Sequence, residues 1–340
     1  MGDTIVALPC FHKIVEAFPN SERIALTNFP ESGKAAPLES ILKNGGFIHR
    51  CIEYPLGTRS PAMLGKIVRE LRSTGADTLI YLGTSRGLIS AFRDWLFFRY
   101  CGFSRVIGIP TSRDMEQVRR DPVSGKEEYE ASRLARCILE LGPISMNSPE
   151  VWDLRLTVEE HQVAEEILGP LQKKALIAVN TGGKVPMKDW GEANWTTLLS
   201  QVSGVLPAAA VIFVGSSDDY DRASRLAVAW GRASVNLCGQ ISPRETAAVL
   251  GRATIFIGHD SGPMHFAASV QTPCVALFGS YNKPRKWHPY GSQHRIIHNL
   301  NGILNITPDE VAREVRELFD LSLARKGVFG QIVPTSSPSS

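Results

Sequence analysis

Several features that would place the chain in a common class of protein are missing from its 340 residues. The six cysteines are scattered and none forms a C-x-x-C pair, so the sequence indicates neither a zinc site nor a disulfide framework. The net charge is only +3, which does not favour nucleic-acid binding. No G-x-G-x-x-G follows a predicted strand, and Gly182-Gly183-Lys184-Val185 lacks the P-loop spacing, so neither a nicotinamide dehydrogenase nor a P-loop enzyme is supported.

Long apolar runs and targeting signals are also missing. The first residues, MGDTIVALPC, have no basic region ahead of an apolar core and do not match a signal peptide. The best candidate for a membrane span, 79–103, is interrupted by Arg86, Arg93, Asp94 and Arg99. Because the cysteines stand mostly in apolar contexts, we expect buried thiols in a reducing cytoplasm.

What the sequence does contain is an alternation of strands and helices, which predicts an α/β fold with parallel sheets. The alternation pauses at a linker with two prolines, 142–150, and restarts with a strand at 175–180. We therefore expect two α/β domains, 1–150 and 151–325, which face each other across a cleft and bind ligands between them. A disordered tail is expected at 326–340.

Polar residues are concentrated in the stretch Gly258–Ser280, where a predicted strand ends and a helix begins. Asp260 or Ser261 is suited to cap the helix, and Pro263 suits its first turn. Such a turn lies at the carboxyl end of a strand, where parallel sheets bind ligands, and the free N–H groups of a helix start favour an anion such as phosphate. The alternative is a well-capped helix with a hydrogen-bonded His265.

Two further strand-to-helix turns carry charged residues. The turn after the strand at 175–180 holds Lys184 and Lys188, which is consistent with a solvated loop or with a lysine beside a diphosphate. The turn after the next strand holds Asp218 and Asp219, which are suited to cap the following helix.

Taken together, these turns resemble the nucleotide-sugar site of the heptosyltransferase family, whose members build the inner core of bacterial lipopolysaccharide. Residues 260–279 match D-[ST]-G-P-x-H-x-A-A followed by P-x-x-x-L-F-G. The loop with Lys188 is similar to the family's G…K-x-W…W motif, and residues 2–9 are similar to its G-D-x-x-x-x-L-P. The resemblance spans nearly the whole chain, from Gly2 to about Leu321.

The resemblance implies a glycosyltransferase of the GT-B type, with two Rossmann-like domains. The first domain would bind the acceptor and the second the nucleotide-sugar, and the last helix, 308–321, would cross back to the first domain. The implied reaction is an inverting transfer of a sugar, heptose from ADP-heptose, to a lipopolysaccharide core or related glycan. No metal or other cofactor is implied.

Individual roles follow from the same resemblance. Asp3 is the implied general base, although it is also suited to cap the first predicted helix, and Lys188 is the implied ligand of the donor phosphates. Asp219 matches the family's acidic residue that contacts the nucleotide ribose. The remaining implied substrate-binding residues lie together in the last turn: Asp260, Ser261, Gly262, Pro263 and His265.

The sequence departs from the family pattern at two points. Ser261 stands where the family usually has threonine, which keeps the hydroxyl. The family also has a strand before its G-D pair, whereas this sequence starts at Met1. We therefore expect the first sheet to lack its central strand, and the complete protein to carry about eight to ten further apolar residues upstream.

A competing interpretation is an α/β-hydrolase with Ser85 as the nucleophile. The run Gly83-Thr84-Ser85-Arg86-Gly87 matches G-x-S-x-G and lies between a predicted strand and a helix, as a nucleophile elbow requires. No H-G-G-G-like segment precedes it, and its partner acid and histidine would have to come from a motif that the transferase interpretation already explains.

The predicted helix at 88–100 is rich in aromatic and basic residues. We expect its apolar face to pack on the sheet and part of it to be available to a lipid headgroup or an anionic acceptor. The sequence thus leaves a peripheral contact with the inner membrane open.

Overall fold

A computed structural model describes residues 2–29, 36–55, 57, 60–84, 86–183 and 185–330, with side chains to residue 325. The chain divides into two compact units. The first comprises Met1–Thr157 with Lys283–His288, and the second comprises Val158–Asn282 with Pro289–Ser340. Within the described residues, no helix is both long and apolar enough to cross a membrane.

The first unit contains two separate pairs of parallel strands in its described part. One pair joins β1 (Ile24–Asn28) to β2 (Arg50–Tyr54), and the other joins β3 (Thr78–Ile80) to β4 (Arg105–Ile107). Residues of both pairs pack in one hydrophobic cluster with the two longest helices of the unit. The helices are α1 (Gly2–Val6), α2 (Leu8–Ala17), α3 (Leu38–Leu42), α4 (Pro61–Ser73), α5 (Leu88–Cys101), α6 (Arg113–Glu116) and α7 (Glu130–Cys137).

The second unit is built on one parallel sheet of six strands in the order β10-β9-β8-β5-β6-β7. The chain fills one side of the sheet from β5 outward, then returns to β8 beside β5 and fills the other side. Ligands bind where the strand order reverses in this way. The strands are β5 (Leu176–Asn180), β6 (Ala210–Phe213), β7 (Ser234–Asn236), β8 (Ile255–His259), β9 (Cys274–Phe278) and β10 (Arg295–His298).

Strands β5, β6, β8 and β9 are buried along their whole length. Their sequences are near-continuous apolar runs, as expected of a parallel sheet covered by helices on both faces. The helices are α8 (Val158–Leu168), α9 (Glu192–Val205), α10 (Tyr220–Trp230), α11 (Pro243–Arg252), α12 (Gly262–Ser269) and α13 (Pro308–Gly330).

The structure confirms the predicted parallel α/β fold and corrects several of its elements. The helix predicted at 4–18 is two helices that begin at Gly2, because Pro9 has no N–H to continue the first one. The predicted loop at 111–126 contains the short helix α6, which Ser112 caps through the Met115 N–H. Strand β7 was not predicted, because three residues are too few to show an apolar pattern.

The domain boundaries from the sequence differ from the two units. The first unit extends to Thr157, beyond the predicted boundary after residue 150, and takes in 283–288. The last helix is assigned to the second unit and continues to Gly330, beyond its predicted end at residue 321, and its crossing to the first domain stays a prediction. The rest of the predicted tail lies outside the described residues.

Candidate functional site

The site lies at the carboxyl ends of β5 and β8, where the strand order reverses. Asn180, the last residue of β5, is paired with Gly258 of β8, so the segments that follow the two strands leave the sheet side by side. These are the loop from Thr181 to Gly191 and the turn from Asp260 to α12. The sequence predicted both as polar turns, and parallel pairing brings them together.

Lys188 forms an ion pair with Asp260 at the centre of the site. The Lys188 Nζ lies 2.5 Å from Asp260 Oδ2, and the same ammonium lies 4.7 Å from the centroid of the Tyr281 ring. A short 3-10 helix, Pro186–Lys188, positions the lysine. Asp260 has only 9% of its side chain exposed, so the pair is largely removed from water.

Asp260 is held in its ionised form by neighbours on several elements. The Asn282 side-chain amide donates a hydrogen bond to Oδ2, and His265 Nε2 lies 3.8 Å from Oδ1. Burial would raise the pKa of Asp260, but the nearby His265 ring and the charge of Lys188 outweigh it and keep the pKa below its usual value. The carboxylate is therefore an acceptor at neutral pH.

The N-terminus of α12 provides free donors beside this pair. Ser261 is the N-cap residue, but its side chain makes no capping hydrogen bond, and Pro263 occupies the first turn. The Ser261 hydroxyl oxygen is buried without a hydrogen-bond partner among the described residues. The sequence predicted a side-chain cap here; instead the Asp260 carboxylate is engaged by Lys188, which leaves the hydroxyl and the helix start for a ligand.

Buried and partly buried contacts hold the lysine loop at both ends. The Arg222 guanidinium donates to the Thr181 carbonyl at 3.0 Å and to both carboxylate oxygens of Asp189 at 3.1 and 2.8 Å. The backbone N–H of Trp190 donates to His259 Nε2 at 3.3 Å. Burial lowers the pKa of His259 to about 4, so the ring is neutral and can accept this bond. The loop that contains Lys188 is thus held by hydrogen bonds at Thr181 on one side of the lysine and at Asp189 and Trp190 on the other.

Asp219 lies at the same edge of the sheet, after β6. Its Oδ2 accepts hydrogen bonds from the Ser216 N–H at 2.8 Å and the Ser216 hydroxyl at 2.7 Å, as part of a capping box. A Cβ on Gly182 or Gly215 would lie 2.0 or 2.7 Å from this carboxylate, so glycine is required at both positions for the aspartate to approach. Only half buried, the carboxylate keeps lone pairs for a ligand.

A shallow cleft adjoins the ion pair. Strand β9 and the segment after it supply most of its wall. The lining residues are Lys188, Asp260, Leu277, Phe278, Gly279, Tyr281, Asn282 and Ile303. This edge of the second unit therefore combines a cation, a carboxylate, a free hydroxyl and a helix N-terminus.

The model of glycosyltransferase family 9 (heptosyltransferase) matches residues 131–311, which is more than half of the chain. The chain belongs to glycosyltransferase family 9. The resemblance found in the motifs is confirmed, and the protein is a glycosyltransferase.

Several known proteins are similar to this chain over nearly its whole length. The lipooligosaccharide heptosyltransferase 2 of Haemophilus influenzae is 26% identical over 365 aligned positions, which cover 94% of this chain and 96% of that protein. The structure of a family 9 glycosyltransferase from Veillonella parvula has a TM-score of 0.70 at 18% identity, covering 94% of each chain. The Escherichia coli heptosyltransferase WaaC, solved with ADP, has a TM-score of 0.65 at 17% identity, covering 94% of this chain and 97% of that one.

Several residues of the site were not predicted from the sequence. Tyr281 and Asn282 follow β9 in a polar segment, and the rule that ligands gather at carboxyl ends of strands would have included them. Arg222 contacts Asp189, which is 33 positions away, and His259 contacts Trp190, which is 69 positions away. Local sequence patterns cannot predict contacts between residues so far apart.

One residue singled out from the sequence lies elsewhere, and two others are not described by the structure. Asp3 belongs to the first unit, where it lies exposed in the first turn of α1 rather than at an N-cap. Lys184 and Ser85 lie outside the described residues. Membership of a glycosyltransferase family gives no support to the hydrolase interpretation that rested on Ser85.

Proposed function

We propose that the protein is an inverting glycosyltransferase that moves heptose from ADP-heptose to a lipopolysaccharide core or a related glycan. The observation that carries the proposal is the Lys188–Asp260 pair beside the uncapped start of α12. The names of the relatives support the choice of sugar and acceptor, since several are heptosyltransferases of lipopolysaccharide or lipooligosaccharide. The solved structure with ADP supports the choice of nucleotide.

The diphosphate of the donor is proposed to bind at the start of α12. The helix N-terminus offers free N–H groups and a partial positive charge, and the Ser261 hydroxyl adds a donor. Lys188 would leave Asp260 and pair with a phosphate oxygen. In this proposal the lysine and the helix supply the positive charge, so no cofactor is invoked.

The remaining site residues are proposed to bind the sugar and the ribose. Asp260, released by the lysine, would accept a hydrogen bond from a sugar hydroxyl, while His265 stays beside its other oxygen. Gly262 and Pro263 allow the donor to approach the backbone of the first turn. Asp219 would accept from a ribose hydroxyl with the lone pairs that Ser216 does not use.

The reaction is proposed to be a single displacement at the anomeric carbon. Asp3 would accept the proton of the acceptor hydroxyl, which then attacks the sugar as its bond to the diphosphate breaks. The sugar becomes oxocarbenium-like and negative charge grows on the departing diphosphate. Lys188 and the start of α12 stabilise that charge most when it is fully developed, which lowers the barrier.

The two units are proposed to divide the substrates. The first would bind the glycan acceptor, and the second, which contains Lys188 and α12, would bind the nucleotide-sugar. The protein is proposed to work in the cytoplasm, with a peripheral contact to the inner membrane where the acceptor is anchored.

A nucleotide titration followed by a transfer assay tests this proposal. Calorimetry with ADP, UDP and GDP should show ADP binding at least tenfold more tightly than the other two. The protein should then release ADP from ADP-heptose only when a lipopolysaccharide-type acceptor is present. A preference for UDP would overturn the choice of donor, and failure to transfer any sugar to the acceptor would overturn the proposed reaction.

A further inference from the structure

Helix α5 (Leu88–Cys101) exposes a stripe of apolar side chains that do not pack in the core of the first unit. Ile89, Phe92, Leu96 and Tyr100 are 90%, 56%, 48% and 66% exposed. Their spacing of three or four residues places them on one face of the helix. Among the described side chains, no other helix or strand exposes more than two large apolar residues.

The opposite face of α5 already supplies the core. Ala91, Phe98 and Cys101 are buried in the hydrophobic cluster of the first unit, and Trp95 packs against that cluster. Helices of soluble proteins usually present polar residues to water on the face that does not pack. In α5 both faces are apolar. The outer face is therefore available to contact an apolar surface outside this protein's own core.

Cationic side chains border the stripe. The Arg72 guanidinium of α4 lies 4.9 Å from the centroid of the Tyr100 ring and donates to the Tyr100 carbonyl at 2.7 Å. The exposed Lys66 and Arg69 stand on the same helix as Arg72. At the other end, Asp94 is paired with both Arg86 and Arg93, so one of those two charges is not neutralised by it.

The charge balance of this region is positive. Residues 60–101 contain six basic and three acidic residues, an excess of +3 that equals the net charge of the whole chain. An apolar stripe with basic residues beside it is the pattern of a helix that lies in the plane of a membrane surface. Each basic residue close to an anionic surface adds to the attraction.

We propose that this face of α5 docks on the surface of an anionic lipid bilayer, with Ile89, Phe92, Leu96 and Tyr100 inserted at the headgroup level. The basic residues of α4 and α5 then contact the lipid phosphates. This inference deepens the membrane contact of the proposed function by naming the surface that makes it. The helix lies on the bilayer and does not cross it, because α5 has only 14 residues and a transmembrane helix needs about 20.

Vesicle sedimentation tests the proposal with the full-length chain. The protein should bind vesicles of phosphatidylethanolamine and phosphatidylglycerol at least tenfold more tightly than vesicles of phosphatidylcholine alone, and binding should weaken as salt increases. An Ile89→Ser/Phe92→Ser double variant should lose at least tenfold in binding. The matched control is Val228→Ser, which replaces a 79% exposed valine on α10 and should bind as the unmodified protein does.

Two outcomes overturn the proposal. One is double-variant binding equal to that of the control. The other is light scattering that shows a dimer of the unmodified protein and a monomer of the double variant, which would assign the stripe to a second copy. Transfer to a soluble acceptor without lipid should be the same in all three proteins. A failure of transfer in every protein, with vesicle binding lost only in the double variant, would refute the proposed reaction and leave the docking face intact.

Discussion

The two units of the protein use the same parallel α/β plan but differ in how completely their strands are paired and buried. In the second unit six strands form one sheet, and the four inner ones are buried along their whole length. In the described part of the first unit four strands form two separate pairs, and every residue of β1 and β3 is only half buried. Each separate pair of strands has two edges with unpaired backbone groups. The two described pairs of the first unit therefore expose four strand edges, whereas the six-stranded sheet of the second unit exposes two.

This difference matches what each unit is proposed to do. The Lys188–Asp260 pair and the loop held by Arg222 and His259 require fixed geometry, and side chains on a rigid sheet are positioned more accurately than side chains on mobile elements. Asp3 is instead carried by the short helix α1, in which Thr4, Ile5 and Val6 are buried and Asp3 is exposed. We therefore expect binding functions to depend on the second unit and turnover to depend on the first.

The largest expected effect separates turnover from binding. Replacing Asp3 by Asn should lower the rate of sugar transfer by about 10²- to 10⁴-fold, because an amide cannot accept the proton of the acceptor hydroxyl. ADP binding, measured by calorimetry, should not change. The control is Glu16→Gln, which neutralises another exposed carboxylate of the first unit and should leave the rate unchanged. Transfer by the Asp3 variant within threefold of normal would remove Asp3 from the mechanism.

The next effect compares the two sheets directly with the same substitution. Leu277→Ala in β9 removes a fully buried side chain and should cost about 2–5 kcal/mol of the free energy of unfolding. Leu79→Ala in β3, which is half buried, should cost roughly half as much. Urea unfolding with hydrogen exchange, which assigns each loss to its unit, provides the measurement. Equal costs would mean that the first unit is as tightly packed as the second.

A smaller effect tests the donor site within the second unit. Lys188→Ala should weaken ADP binding by about 10- to 100-fold, the usual range for losing a charge-assisted hydrogen bond. Lys184→Ala, a change of the same charge in the same loop, should weaken it by less than threefold. Equal losses in a calorimetric titration, or none in either variant, would contradict the role of Lys188.

The smallest effect is a dependence of stability on pH. Burial lowers the pKa of His259 and of His294 to about 4, so between about pH 6.5 and pH 4 the unfolded chain binds protons that the folded second unit does not. Its free energy of unfolding should therefore fall as the pH decreases through this range and be insensitive to these groups above it. His294→Gln should reduce the slope in urea titrations at several pH values. An unchanged slope would contradict the lowered pKa of His294, because the folded and unfolded chains would then bind the same number of protons at this group.

Much of the second unit could be predicted from the sequence. Apolar runs such as those of β5 and β9 are long enough to identify buried strands, and each is followed by a polar turn. Because parallel strands end at one edge, the turns with Lys188 and Asp260 were expected at the same edge of the sheet, and the pairing of β5 with β8 places them next to each other. The ion pair itself could not be predicted, since it joins residues 72 positions apart through side-chain conformations that the whole loop determines.

The first unit was harder to predict, and for a local reason in each case. The helix at the start divides where Pro9 interrupts the hydrogen bonds, a residue whose effect on a long helical pattern was overlooked. The exposed stripe of α5 could not be separated from its buried face, because both faces are apolar and give no periodicity. In the second unit, the last helix runs beyond its predicted end to Gly330, because no glycine or proline stop signal follows residue 321 until Gly327.

The ion pair between Lys188 and Asp260 also bears on which anions the site can distinguish. Lys188 is already paired with Asp260, whose Oδ2 lies 2.5 Å from the lysine Nζ. An anion that arrives at the lysine must therefore compete with this carboxylate. In the proposed binding mode, a free orthophosphate ion gains only the helix start from that exchange, whereas a nucleoside diphosphate gains the helix start and the ribose contact at the same time. In this binding mode, the pair therefore sets a threshold that a nucleoside diphosphate passes more easily than a single phosphate ion.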